Sequence, residues 1–203
     1  MCADKNLWEK AVEFHGHACP GLAVGYRVTE IALEHLNSMR SVDEELVAIV
    51  ENDACGVDAV MVLTGCTLGK GNLLYRDLGK SVYTFGSRSS NRALRISVDD
   101  TRVHPSEPQK DRLRDRISAG TATEEEIVQL EQERSRWIQQ LLHMPEEEFC
   151  KVEQVDFQFP SKAQLFPSVQ CAGCGEYVME PRARVRDGNI VCLDCFEDYN
   201  RGW

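Results

Sequence analysis

The sequence predicts an α+β protein: a mixed helix/sheet core domain over residues 1–160, followed by a small ribbon-like domain over residues 161–203. Three observations carry that prediction. The first hundred residues interleave helix-period apolar stretches with short β-branched runs, the pattern of a mixed fold. Near the end, two Cys-x2-Cys pairs stand 17 residues apart, a spacing suited to a four-thiolate metal module. A chain of 203 residues that is 42% hydrophobic and 28% charged also suffices for one sizeable core plus an appendage.

Taken in order, Pro20 suits the first turn of a helix running to about Asn37, with Leu22, Tyr26, Ile31, Leu33 and Leu36 among its apolar positions. Leu46–Val50 is short, apolar and β-branched, and reads as a buried strand. Asp53 is expected to cap a second helix over Cys55–Thr64, which Gly65 ends. Ser81–Phe85 and Leu94–Val98 read as strands joined by a polar turn around Ser89–Asn91. Ser106 with Gln109, and Thr123 with Glu126, form capping boxes for two further helices. The second of these carries Ile127, Leu130, Trp137, Ile138, Leu141 and Leu142 on roughly one face, until Pro145 stops it. Phe149–Phe159 alternates as a returning strand, and the linker is expected at Pro160–Pro167.

Charge and ends narrow the function classes. A net charge of −10, with no polycationic segment, argues against a dedicated phosphate-backbone binder, although a local basic patch is compatible with it. No apolar run approaches membrane-spanning length, so no membrane partner is expected. The opening MCADKNLWEK lacks a basic-then-apolar leader, which places the expected location in the cytoplasm. There, nine cysteines favour metal or thiol chemistry over disulfides.

Cys171, Cys174, Cys192 and Cys195 have the arrangement of a structural zinc site, in which two thiolates from each knuckle reach one ion. Ligand softness and spacing favour zinc over iron. Between the pairs, Arg184–Val191 carries an Asp187-Gly188 hairpin signal. A module this small cannot build a large core, so metal binding supplies its folding energy. Arg182, Arg184 and Arg186 would share one strand face and could meet an acidic partner, a partner protein or nucleic acid. The competing explanation is a solvated face balanced by Glu176, Glu180 and Asp187.

A second constellation lies in the core domain. Phe14-His15-Gly16-His17-Ala18-Cys19-Pro20-Gly21 places two imidazoles and a thiol just before a helix. A cysteine at that helix terminus is favoured as thiolate, and His15 and His17 would point the same way in an extended segment. Cys55 and Asp58 lie on one face of the next helix, where an acid in the apolar run from Val57 to Leu63 requires a partner. His17, Cys19 and Cys55 are expected to form a core site with His15 near it, holding a second transition metal. Cys19 and Cys55 are equally candidates for a catalytic nucleophile or redox thiol. Taken singly, Cys55 and Cys66 would be small core hydrophobes. The third piece, Thr64-Gly-Cys66-Thr-Leu-Gly69-Lys70-Gly71-Asn72, is not a phosphate loop, because the glycine spacing is one short and Gly71 replaces the hydroxyl residue. Cys2, Cys150, His35, His104 and His143 fit no pattern.

Together, Phe14-His-Gly-His-x-Cys-Pro-Gly21, Cys55-Gly-Val-Asp-Ala59 and Thr64-Gly-Cys-Thr-Leu-Gly-Lys-Gly-Asn72 resemble the FmdE family, named for one of the subunits of molybdenum- or tungsten-dependent formylmethanofuran dehydrogenase. The resemblance covers roughly residues 7–160. The C-terminal module is similar to TraR/DksA-type zinc fingers. What the FmdE resemblance implies is an α+β core, a homodimer, and motif histidines and cysteines lining one site. It further implies an accessory subunit or relative of that dehydrogenase, working with a partner enzyme complex. No cysteine grouping outside the ribbon would hold an iron–sulfur series, so the resemblance does not confer the dehydrogenase's own oxidoreductase activity on this chain. The alternative is a transcriptional-regulatory, metal-sensing or protein-interaction adaptor acting through the ribbon.

Overall fold

The computed structural model describes residues 6–105 and 107–196. It is an α+β chain of two compact units, one ending at Lys162 and the other beginning at Ala163. That division falls inside the Pro160–Pro167 segment. Among the described residues no helix is long and apolar enough to cross a membrane.

The larger unit opens with helix α1 (Leu7–His15), where Asn6 and Glu9 form a reciprocal capping box. Helix α2 (Pro20–Leu36) follows, with proline in its first turn, Cys19 as N-cap and Asn37 closing it in the left-handed region. Strand β1 (Leu46–Val50) is buried at every position, as its uninterrupted apolar run requires. Helix α3 (Gly56–Thr64) ends at Gly65. Strands β2 (Leu73–Tyr75), β3 (Val82–Ser87) and β4 (Arg92–Val98) are followed by helices α4 (Asp100–Val103), α5 (Pro108–Ser118), α6 (Glu124–Leu142) and α7 (Glu146–Phe149), and then by β5 (Cys150–Gln154). The five strands form one sheet in the order β2-β1-β3-β4-β5, with β1 and β2 parallel and the other pairs antiparallel.

Register sets the core. Ala48 faces Phe85, which faces Leu94, while Val50 faces Tyr83, which faces Ile96. These rows lie on one face of the sheet and pack with Val24, Val28 and Ile31 of α2 and Ile138 and Leu141 of α6. Such burial is worth about 1.5–3 kcal/mol for each large apolar side chain.

Several sequence expectations change at this level. Asp53 does not cap α3. Cys55 occupies the N-cap position with no side-chain cap bond, while the Ala54 N–H is taken by Asn52 Oδ1 at 3.2 Å. The last strand stops at Gln154 rather than Phe159. Beyond it Phe157 and Phe159 lie against Gly86, where an added Cβ would sit 2.8 Å from a Phe159 ring carbon. Arg88 stacks over Phe159 at 5.3 Å and donates to the Pro160 carbonyl at 2.7 Å. These contacts draw the segment out of the ladder. Ser106 lies outside the described residues, and helix α5 begins at Pro108 after Glu107. Thr123 and Glu126 do form their capping box.

The smaller unit holds two hairpins, β6 (Ser168–Gln170) with β7 (Tyr177–Met179), and β8 (Arg184–Arg186) with β9 (Asn189–Val191). Asp187 and Gly188 both take positive φ, the geometry of a two-residue turn of the favoured hand. Arg182 belongs to a 3₁₀ turn, Glu180–Arg182, built around Pro181, so only Arg184 and Arg186 share a strand face.

Candidate functional site

In the smaller unit the sulfurs of Cys171, Cys174, Cys192 and Cys195 all lie within 4.8 Å of one another. A tetrahedral zinc ion with bonds of about 2.3 Å separates its sulfurs by about 3.8 Å, and Cys174 Sγ stands 3.9 Å from Cys192 Sγ. Backbone N–H groups of Gly173 and Cys192 donate to Cys171 Sγ at 3.4 and 3.2 Å. Backbone donors hold the Cys171 thiol down at about 6, while hydrogen bonds with the neighbouring Cys192 and Cys171 sulfurs push Cys195 up to about 12. Four thiols so packed share their protons unevenly until a cation allows all of them to ionise, and the donor set fits zinc. Arg186 donates to the Cys195 carbonyl at 3.2 Å, so this arginine braces the second knuckle.

In the larger unit, His15, Cys19 and Cys55 bring one nitrogen and two sulfurs within 4.8 Å of one another. Each arrives from a helix end. His15 closes α1, Cys19 caps α2 and accepts the Leu22 N–H at 3.3 Å, and Cys55 opens α3. The helices can cross this closely because Gly25 meets Gly56, where an added Cβ would overlap the Gly56 backbone, and because Gly21 faces Cys55.

His15 is oriented by a residue 43 positions away. Its Nδ1 lies 2.7 Å from Asp58 Oδ2, and its Nε2 lies 3.7 Å from Cys19 Sγ. A carboxylate only accepts, so the first contact puts the ring hydrogen on Nδ1 and leaves the Nε2 lone pair facing the sulfurs. Tetrahedral zinc would set its sulfur and imidazole ligands about 3.6 Å apart. The residues therefore fit a zinc-class ion, with Asp58 as the carboxylate behind a ligating histidine.

The sequence points to His17 at the centre of this group with His15 beside it; in the structure His15 approaches the two sulfurs instead. Gly16 turns at φ 92 after α1, so the two rings are not presented by one extended segment. His17 is exposed, its ring centroid 4.6 Å from that of His15. Burial, followed by the nearby Cys19, pushes the Cys55 thiol up. Cys66 is wholly buried within the apolar core, and burial raises its thiol as well.

The glycine-rich third motif proves to be a braced loop. Asn72 is 1% exposed; its amide donates to the Asp43 and Leu46 carbonyls at 3.1 and 3.0 Å and its oxygen accepts from Thr67 N–H at 3.0 Å. Lys70 Nζ reaches the carbonyls of Val42 and Asp43. His35 contacts Glu146, and His143 contacts the Gln139 carbonyl, both away from the site. The sequence does not reveal the pairing of His15 with Asp58; its one signal is an acid within an apolar helix.

Residues 14–151 match the family model described as FmdE, molybdenum formylmethanofuran dehydrogenase operon. Residues 164–201 match the prokaryotic dksA/traR C4-type zinc finger. A protein of Archaeoglobus fulgidus described as a probable S-adenosyl-L-methionine-binding protein is 39% identical over 202 residues, covering 96% of this chain and 53% of its own length. The chain thus spans about half the length of the curated relative it matches. A crystal structure of a tungsten formylmethanofuran dehydrogenase FmdE-like protein from Syntrophus aciditrophicus aligns with TM-score 0.60 and 23% identity, covering 93% of this chain and 91% of that one. At that identity the likeness is one of fold. With the zinc-finger match, the four-cysteine cluster is a structural zinc site.

Proposed function

Because the chain belongs to the FmdE family, we propose that its core is a second metal centre, with His15, Cys19 and Cys55 as protein ligands and a fourth position open to an exogenous ligand. The observation that carries this reading is the convergence of one imidazole nitrogen and two sulfurs within 4.8 Å, with Asp58 fixing the imidazole. Two cysteines and one histidine leave a zinc-class ion one site short of closure, the arrangement used where a water or substrate must bind. When bound there, the ion would supply Lewis-acid polarisation of that ligand. The chain's residues do the rest: Asp58 holds the His15 tautomer, and the α2–α3 crossing holds the two sulfurs.

The role that accompanies this centre is that of an accessory protein related to molybdenum or tungsten formylmethanofuran dehydrogenase, acting as a homodimer with a partner enzyme. The family description supports the relation to that dehydrogenase; the homodimer and the partner enzyme are what the family resemblance implies. Elemental mass spectrometry of untagged protein tests the centre. About two metals per chain are expected, falling to about one in His15→Ala while the ribbon zinc remains. One metal in both proteins would overturn the reading. Equilibrium dialysis against S-adenosyl-L-methionine tests whether the ligand in the A. fulgidus relative's description is met by the half that this chain represents.

A second reading, a protein-interaction adaptor, is favoured by one feature of the ribbon. Val185 and Ile190 are cross-strand partners yet remain 70% and 43% exposed. An apolar pair on a hairpin suits a protein surface better than a phosphate backbone. Partner binding lost in Val185→Glu but retained in His15→Ala would support this reading.

A further inference from the structure

His15, Cys55 and Asp58 form one wall of a cleft of about 460 Å³. The remaining walls are largely apolar: Val50 from β1, Val57 and Met61 from α3, and Leu68, Leu73 and Tyr75 from the loop and strand that follow. A concave, apolar surface beside a few polar groups is the usual construction of a small-molecule site, and this volume lies within the ordinary range for one.

Two features narrow what the cleft would accept. The first is its lip. Leu68 stands 70% exposed and Tyr75 45% exposed, both lining the cleft. Leu68 sits at the tip of the Thr64–Asn72 loop, which Asn72 and Lys70 fasten to the carbonyls of residues 42, 43 and 46. A rigid loop that presents a bare leucine to a cleft offers its ligand a preorganised apolar contact, with little ordering cost on binding. The third sequence motif, which is not a phosphate loop, thereby acquires a purpose.

The second feature is charge. Asp53 and Asp58 line the cleft, and among the described residues no lysine or arginine does. Two thiolates already offset the charge of a divalent ion held by Cys19 and Cys55. An anionic ligand would meet net negative surroundings, whereas an uncharged donor would not.

We propose that this cleft binds a molecule with an apolar body and an uncharged nitrogen or sulfur donor, the donor completing the coordination of the core metal. This inference rests on the metal-centre reading of the preceding subsection. The test uses full-length protein loaded with cobalt(II), whose visible spectrum reports a change of ligand at an open site while a closed four-thiolate site stays silent. Titrated probes are 1-methylimidazole and 1-benzylimidazole, which share a neutral donor and differ in apolar body, with phenylacetate as the anionic comparison.

The expected result is a spectral change with both imidazoles, about tenfold or more tighter for the benzyl compound, and none with phenylacetate. Leu68→Asp, a change at an exposed position, should remove most of that preference and leave the cobalt content unaltered. Equal affinity of the two imidazoles, or an undiminished preference in Leu68→Asp, would overturn the cleft proposal alone. Preferential binding of phenylacetate would overturn its charge argument. Cobalt confined to the ribbon, shown by an unchanged content in His15→Ala, would overturn the metal-centre reading and this proposal with it.

Discussion

Replacing Gly25 by alanine puts a methyl group into the space where α2 crosses α3. An ideal Cβ at that position lies 2.5 Å from the Gly56 carbonyl carbon and overlaps the Gly56 Cα and carbonyl oxygen. Ordinary carbon–carbon contact begins near 3.5 Å, so the helices must part by about 1 Å. Overpacking costs typically about 1–3 kcal/mol, and backbone cannot rotate aside as a flexible side chain can, so about 3 kcal/mol is expected. At about 2–4 °C per kcal/mol, the core unit should melt about 6–12 °C lower while still folding. The effect on the site is larger than on the fold, because Cys19 rides on α2 and Cys55 on α3. Metal–ligand distances tolerate about 0.2 Å, so affinity at the core centre should fall at least about tenfold while ribbon zinc is retained. Thermal unfolding by circular dichroism and metal competition with a chromophoric chelator read the two effects separately. Gly69→Ala is the comparison, since a Cβ there meets nothing within 4 Å. An unchanged melting temperature and core-metal affinity in Gly25→Ala would refute the argument that this crossing builds the centre.

Asp58→Asn should retain the fold and weaken core-metal binding about 10- to 100-fold, the usual loss when the carboxylate behind a ligating histidine is removed; the same chelator competition measures it. Cys171→Ser should release the ribbon zinc and unfold the smaller unit without lowering the melting temperature of the larger unit, as limited proteolysis followed by mass analysis would read. Burial pushes the Cys150 thiol up to about 12, above an unfolded value near 8.5. The unfolded chain therefore releases this proton first, so stability is full below about pH 8.5 and declines as pH rises toward 12. Urea titrations at alkaline pH should show that decline, and Cys150→Val should flatten it. Native protein stripped of metal should leave Cys66 and Cys150 unalkylated by iodoacetamide at pH 8, both becoming labelled in urea.

What could be read from the sequence were the signals whose cause lies within a few residues. The Thr123–Glu126 capping box, the proline at the start of α2, the buried run of β1 and the Asp187-Gly188 turn each depend on backbone groups three or four positions away. The zinc ligands were equally legible, since each knuckle is a local turn and the gap between the pairs is a hairpin. Helix α1 carries an Asn6–Glu9 box of the same local kind, overshadowed by the histidine motif that follows it. Three-residue β2 had no such signal, because a short edge strand is selected by pairing with β1.

The core centre divides along the same line. Cys19 and Cys55 were recognisable as helix-terminal thiols. Which histidine joins them was decided by the turn at Gly16 and by Asp58, 43 residues away, and neither has a local period to betray it. The approach of α2 to α3 through Gly25 and Gly56, and the Asn72 bonds that turn a glycine-rich motif into the lip of a cleft, likewise exist only once distant segments are packed. The sequence by itself determined the ligand types, the helix ends that carry them and the closed zinc ribbon, because those follow from short-range geometry. Tertiary packing alone decided which side chains meet at the proposed core centre, the carboxylate beside His15 and the apolar cleft next to them, because each is a contact between backbones or side chains far apart along the chain.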